Sequence, residues 1–223
     1  MANHFDLEEQ EQIDQLKHFW EQYGNLITWV LTIALSAYAA WNGWNWWQRN
    51  QSIKAAAQYD QIEQAADARD ADKVERALAD MKGQFGGTSF AAQGALLAAK
   101  SLYDLGKSDA ARSALSWVAE NSSDEAYKAV ARLRLAGVML DAKAFDEALK
   151  TLQVPMPEAY AALAADRRGD VLMAQGKGEE AKAEYKKAWD GMSSRSDYRQ
   201  LVQVKLASLG VDVTPAMPVE GAK

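Results

Sequence analysis

The chain has 223 residues, with 25 Lys plus Arg against 31 Asp plus Glu, two His, eight Trp, four Pro and no Cys. Without cysteine there is no disulfide, thiolate nucleophile or Cys-rich metal site. A formal charge of −6 argues against a nucleic-acid binder, which needs a basic patch to displace phosphate counterions.

The acid is unevenly spread. Residues 1–21 hold Lys17 against Asp6, Glu8, Glu9, Glu11, Asp14 and Glu21, a local charge of −5 that leaves −1 for everything else. Residues 1–24 are therefore read as an acidic tail.

From Gln22 to Gln48 no residue is charged. Within that stretch Leu26–Trp47 would be about 33 Å long as a helix, the thickness of a bilayer core. Trp20 and Tyr23 flank one end and Trp41, Trp44, Trp46 and Trp47 the other, the placement that amphipathic rings take at headgroup level. A cleaved signal peptide would need a short basic leader, so residues 25–48 are expected to be a transmembrane helix in the lipid bilayer. Nearby cations, Lys17 on one side and Arg49 with Lys54 on the other, nearly balance and do not set orientation. Thr28, Thr32, Ser36, Ala40 and Gly43 form a ridge of small residues along one side. It either lets a partner helix approach closely or bonds back to its own carbonyls and faces lipid.

Beyond Arg49 the composition turns to Ala, Leu, Lys, Glu and Gln with few strand signals, and the first helix is expected to continue from the membrane segment. SLYDLGKSDAARSAL, VMLDAKAFDEALKTL and VLMAQGKGEEAKAEY each read as helix, turn at Gly106, Lys143 or Gly176, and a second helix. Each carries an alanine five residues after the turn: Ala111, Ala148 and Ala181. A weaker copy puts Ala77 at the same point, giving spacings of 34, 37 and 33 residues, the tetratricopeptide period. One helix pair cannot bury its apolar stripe alone, so small residues at the crossing and stacked neighbours must complete the core. Leu102, Met139 and Leu172 before the turns and Leu115, Leu152 and Tyr185 after them fit that arrangement. Ser108 is expected to cap one helix, and Ser122 with Glu125 to form a capping box on the next. A last helix, about Ser196 to Leu209, should stop at Gly210 and seal the stack; residues 210–223, with Pro215 and Pro218, are expected to be a disordered tail. The fold class is thus all-α, with one membrane helix and a helical-hairpin solenoid over residues 49–209.

No catalytic constellation is visible. His4 and His18 precede the apolar segment, Gly176-Lys177-Gly178 lacks phosphate-loop spacing, and Asp166 with Asp170 or Glu179 with Glu180 read as solvated helix faces. No enzyme, cofactor or metal site is expected. A tetratricopeptide stack instead holds a partner in the concave face lined by the first helices of its pairs. Extrapolated register puts Leu96, Lys100, Tyr103, Leu133, Leu140, Leu163, Asp166, Asp170 and Met173 there. Alternatively, some of these leucines and Met173 pack under the last helix.

The order of these features, from EEQEQIDQLKHFWEQYG through GWNWW to LAAKSLYDLGKSDAARSALSWV, ARLRLAGVML and RRGDVLMAQGKGEEAKAEYKKAW, resembles the YfgM-type family, ancillary subunits of the SecYEG translocon in Gram-negative bacteria. The resemblance implies a single-pass inner-membrane protein with a cytoplasmic amino end and a periplasmic repeat domain. It also implies association with SecYEG and with a membrane-anchored periplasmic chaperone of the peptidyl-prolyl isomerase type, and it carries no catalytic residues. The competing reading is a cell-envelope assembly or division scaffold that uses the same repeats for another partner.

Overall fold

The computed structural model describes residues 7–213, and those residues form nine α-helices and no strand. The helices are α1 (Leu7–Asp67), α2 (Ala71–Phe85), α3 (Ser89–Asp104), α4 (Ser108–Asn121), α5 (Glu125–Asp141), α6 (Phe145–Gln153), α7 (Glu158–Ala174), α8 (Gly178–Gly191) and α9 (Tyr198–Ser208). The chain divides into two compact units, one ending at Gln51 and one beginning at Ser52, and α1 contributes to both.

In the first unit, α1 is the one helix among the described residues long and apolar enough to cross a membrane. Almost none of its apolar window is buried within the chain: Trp29, Leu35, Tyr38, Trp41 and Trp46 all stand exposed. A soluble core helix would bury that surface. Along the small-residue ridge, the Thr28 hydroxyl donates to the Gly24 carbonyl and the Thr32 hydroxyl to the Thr28 carbonyl, each at 2.7 Å. Both threonines thus satisfy their polar groups on their own helix, which any side chain in hydrocarbon must do.

The second unit is a series of antiparallel helix pairs joined by the same turn. After α1, α3, α5 and α7, one residue takes a left-handed conformation: Arg69 (φ 54°), Gly106 (77°), Lys143 (59°) and Gly176 (77°). Around each, two crossed backbone bonds close the helix end. For Gly106 they are Gly106 N–H to Tyr103 C=O at 2.9 Å and Lys107 N–H to Leu102 C=O at 2.8 Å, and the other three turns repeat the pattern. This Schellman closure satisfies otherwise orphaned carbonyls and reverses the chain at once.

The repeated turn corrects the register of the first pair. Val74, Ala111, Ala148 and Ala181 each donate their N–H at 3.0 Å to the carbonyl just after the left-handed residue, and all four are fully buried. Val74, not Ala77, therefore occupies the crossing of α1 with α2, and the spacings are 37, 37 and 33 residues. Ala77 lies almost one turn further on, half-buried, its carbonyl accepting from Gln58 Nε2 at 3.3 Å. The displacement follows from a turn built on Arg69, where the sequence has no glycine to mark it.

Three other local expectations change. Ser108 is already the first residue of α4, so it cannot cap it. Asp124 caps α5, accepting from Ala126 N–H at 2.7 Å, while Ser122 accepts from Asp124 N–H at 3.1 Å in the turn before it. After α9, Gly210 (φ 74°) again closes the helix, and Val211 and Val213 pack against the core instead of beginning a disordered tail. Pro215 and Pro218 lie outside the described residues.

One core cluster runs from Ala55 and Ile62 of α1 through α6 and includes Val171; a second joins Ala165 and Leu172 of α7, Ala181, Tyr185 and Ala188 of α8, and Val202 and Leu206 of α9. Leu149 packs against both. In the second cluster Tyr185 is admitted by a missing side chain, since a Cβ on Gly169 would lie 2.6 Å from the ring carbon Cδ1. The ring is buried and its hydroxyl is bonded, so it has nowhere to retreat. Gly169→Ala should therefore destabilise the repeat unit by about 2 kcal/mol, the cost of overpacking a closed core. The check is chemical denaturation beside Gly137→Ala, where a Cβ meets nothing closer than 4.0 Å and little change is expected.

Candidate functional site: a groove on the odd-numbered helices

The first helices of three successive pairs, α3, α5 and α7, share a cavity of about 420 Å3. Lys100 and Tyr103 come from α3, Arg134, Gly137, Val138 and Asp141 from α5, and Arg167 from α7; Ala99 and Leu115 also border it. The α5 residues follow the spacing i, i+3, i+4, i+7, one face of a helix.

Of the polar groups in the groove, Tyr103 and Lys100 are closely paired and the two arginines loosely. The Tyr103 hydroxyl donates to the Asp141 carboxylate, and that bond, followed by partial burial, pushes the phenol above its ordinary range. Lys100 pairs with Asp104 at 2.5 Å on its own helix. Arg134 Nη1 reaches only the Leu96 carbonyl, at 3.5 Å, and Arg167 Nη1 reaches Asp170 Oδ2, also at 3.5 Å. Arg167 reaches from α7 to the face of α5 at Gly137, where an added Cβ would meet its Nη1 at an ordinary contact distance of 4.0 Å.

Of the residues expected in the groove, Lys100 and Tyr103 line it. Leu96 is buried, and Leu133 and Leu140 are half-buried against the first core cluster. Leu163 is half-buried, and Met173 is exposed but outside the cavity. On α5 the open face is one residue out of phase with the extrapolated register, which is why Arg134, Gly137, Val138 and Asp141 escaped it. The i, i+3, i+4, i+7 pattern itself was in the sequence, but small, cationic and acidic residues do not announce a groove.

Neither Asp166 nor Asp170 lines the cavity, and instead of standing on a solvated face the first is buried and the second half-buried. Asp166 is 1% exposed and accepts from Lys205 Nζ at 2.8 and 2.9 Å and from the Tyr198 hydroxyl at 2.7 Å. Asp170 accepts from the same Lys205 at 2.7 Å and from the Tyr185 hydroxyl at 2.9 Å. One lysine of α9 thus bridges two carboxylates of α7, with two phenols completing the shell. A charge at this depth is tolerated only when paired.

That cluster yields two expectations. Lys205→Met leaves two carboxylates facing each other with one cation lost, and should cost about 3 kcal/mol; loss of stability by chemical denaturation within error of zero would show the bridge to be unimportant. Burial first, then the neighbouring carboxylates, push the Tyr185 and Tyr198 hydroxyls well above the ordinary 10.0. A folded-state pKa raised above the unfolded one gives stability that is complete below about pH 10 and is lost as pH climbs toward the folded value. The unfolding temperature should therefore fall less steeply above pH 10 in Tyr198→Phe than in the unsubstituted chain.

Among the described residues no group of three or more His, Asp or Glu comes together that could hold a metal ion. A family model described as a tetratricopeptide repeat-like domain matches residues 17–211, taking in both the apolar part of α1 and the helix pairs. A protein of Neisseria gonorrhoeae named ancillary SecYEG translocon subunit is 33% identical over 210 residues, 94% of this chain and 100% of the relative. A protein of Escherichia coli with the same name is 37% identical over 95 residues, 41% of this chain and 44% of the relative. With repeated Schellman turns, buried crossing residues and a match over nearly its whole length, the chain belongs to the YfgM-type family of tetratricopeptide repeat-like proteins.

Proposed function

We propose that the protein is a non-enzymatic, membrane-anchored ancillary subunit of the SecYEG translocon. The observation that carries this reading is the end-to-end similarity to the Neisseria protein of that name, which covers the apolar segment and the repeats together. Residues 25–48 anchor it in the inner membrane as a single span, with residues 1–24 cytoplasmic and residues 49–209 periplasmic. The groove on α3, α5 and α7 docks a membrane-anchored periplasmic chaperone of the isomerase type, or newly exported chains. No cofactor is needed for that work.

Two features support the anchor. Its apolar side chains, Ile27 apart, are exposed, and its threonines are bonded internally. Confinement to one membrane also raises the effective concentration of the two partners, so a groove of modest affinity suffices. Thr28, Thr32, Ser36, Ala40 and Gly43 then offer the translocon a close-packing ridge.

Because the chain has no cysteine, single introduced thiols report cleanly. In intact cells a membrane-impermeant maleimide should label Lys107→Cys, and should label Gln12→Cys only after the inner membrane is opened; the reverse pattern would invert the proposed topology. A photo-crosslinking residue at Ser36 should recover translocon subunits and one at Tyr103 a periplasmic chaperone or exported chains. Cell-wall or division proteins at Tyr103, with no translocon from either site, would place the chain instead as an envelope-assembly scaffold.

A further inference from the structure

The groove's charge is opposite to that of the chain around it. In a protein of formal charge −6, Lys100, Arg134 and Arg167 converge on one cavity against a single lining carboxylate, Asp141. Asp141 already accepts the Tyr103 hydroxyl, and Lys100 is neutralised by Asp104. The two guanidiniums have one long bond each, at 3.5 Å: Arg134 to the Leu96 carbonyl and Arg167 to Asp170 Oδ2, while Lys205 takes the other oxygen of Asp170, Oδ1, at 2.7 Å. Between them lie Gly137 and Val138, a patch of bare backbone and aliphatic surface.

Arginine presents a rigid fork of donors suited to carboxylates, and two such forks with weak internal partners form an unfilled acceptor requirement. Arg167 lines the cavity beside Gly137, its Nη1 4.0 Å from where a Cβ of residue 137 would stand. From this geometry we infer that the groove takes an extended peptide segment bearing Asp or Glu side chains next to an aliphatic residue, the carboxylates on Arg134 and Arg167 and the aliphatic side chain on Val138. The inference rests on the docking reading above and specifies what that site accepts.

The test uses the full chain in lipid nanodiscs and two rhodamine-labelled peptides with amidated ends, Ser-Leu-Glu-Val-Asp-Leu-Gly and its Gln/Asn counterpart, followed by fluorescence anisotropy. The acidic peptide should bind about tenfold or more tightly than its neutral twin, as charge-assisted bonds to two arginines warrant, and raising salt should shrink the gap. Arg134→Gln with Arg167→Gln should bring the acidic peptide down to the neutral level, whereas Arg134→Lys with Arg167→Lys should retain part of the preference; circular dichroism confirms that each variant keeps its helices. Equal binding of both peptides, each weakened by Tyr103→Ala, would overturn the acidic preference while leaving the groove a docking site. Binding of neither peptide, with partners still recovered by crosslinking from Tyr103, would likewise overturn it and spare the docking reading. Failure of both peptide binding and crosslinking would remove the two together.

Discussion

Every pair of helices in the repeat unit depends on one residue adopting a left-handed backbone. Arg69, Gly106, Lys143 and Gly176 each reverse the chain within a single turn, and the crossed bonds around them satisfy carbonyls that would otherwise be left bare. That reversal brings Val74, Ala111, Ala148 and Ala181 against the preceding helix at a fixed offset, and their small size lets backbones come close. Helix stacking, the continuous core and the groove on α3, α5 and α7 all inherit that offset. Two of the four turns use a non-glycine residue at a cost of about 1 kcal/mol each, which the packing around them must exceed.

The stack ends in electrostatics instead of more apolar surface. α9 buries only Val202 and Leu206, too little to fix a helix firmly by burial alone. Lys205 supplies the rest by bridging Asp166 and Asp170, and Tyr198 and Tyr185 each donate a further bond to one of the two carboxylates. A buried bridge of this kind is weak as a source of net stability but strong as a constraint on geometry, because any other placement of α9 would strand a charge. It occupies Asp166 and the Oδ1 of Asp170, and leaves only the Oδ2 of Asp170 to Arg167, at 3.5 Å, on the groove side.

Much of this was legible in the sequence. The apolar run between Gln22 and Gln48, the glycine turns at Gly106 and Gly176, and the alanines five residues beyond them follow from composition and period alone. What was hidden has a physical reason in each case. Arg69 makes a glycine's turn without being glycine, so the first crossing appeared at Ala77 instead of Val74. Asp166 and Asp170 look solvated until α9 folds back over them, a contact 35 to 39 residues distant in sequence that no local pattern encodes. The groove on α5 is lined by Arg134, Gly137, Val138 and Asp141, and helix phase one residue out of step decides between them and Leu133 or Leu140.

A partner bound in the groove must cover Tyr103 and leave the rim of the stack untouched. Tyr103 and Tyr198 are almost equally exposed in the free chain, at 38% and 37%, so the second is a built-in reference for the first. Hydroxyl-radical footprinting of the full chain in membrane vesicles, with and without the proposed translocon and chaperone partners, reads both at once. Modification of Tyr103 should fall severalfold when the partners are present while that of Tyr198 stays constant. Unchanged Tyr103, or equal protection of both residues, would contradict a docking role for the concave face.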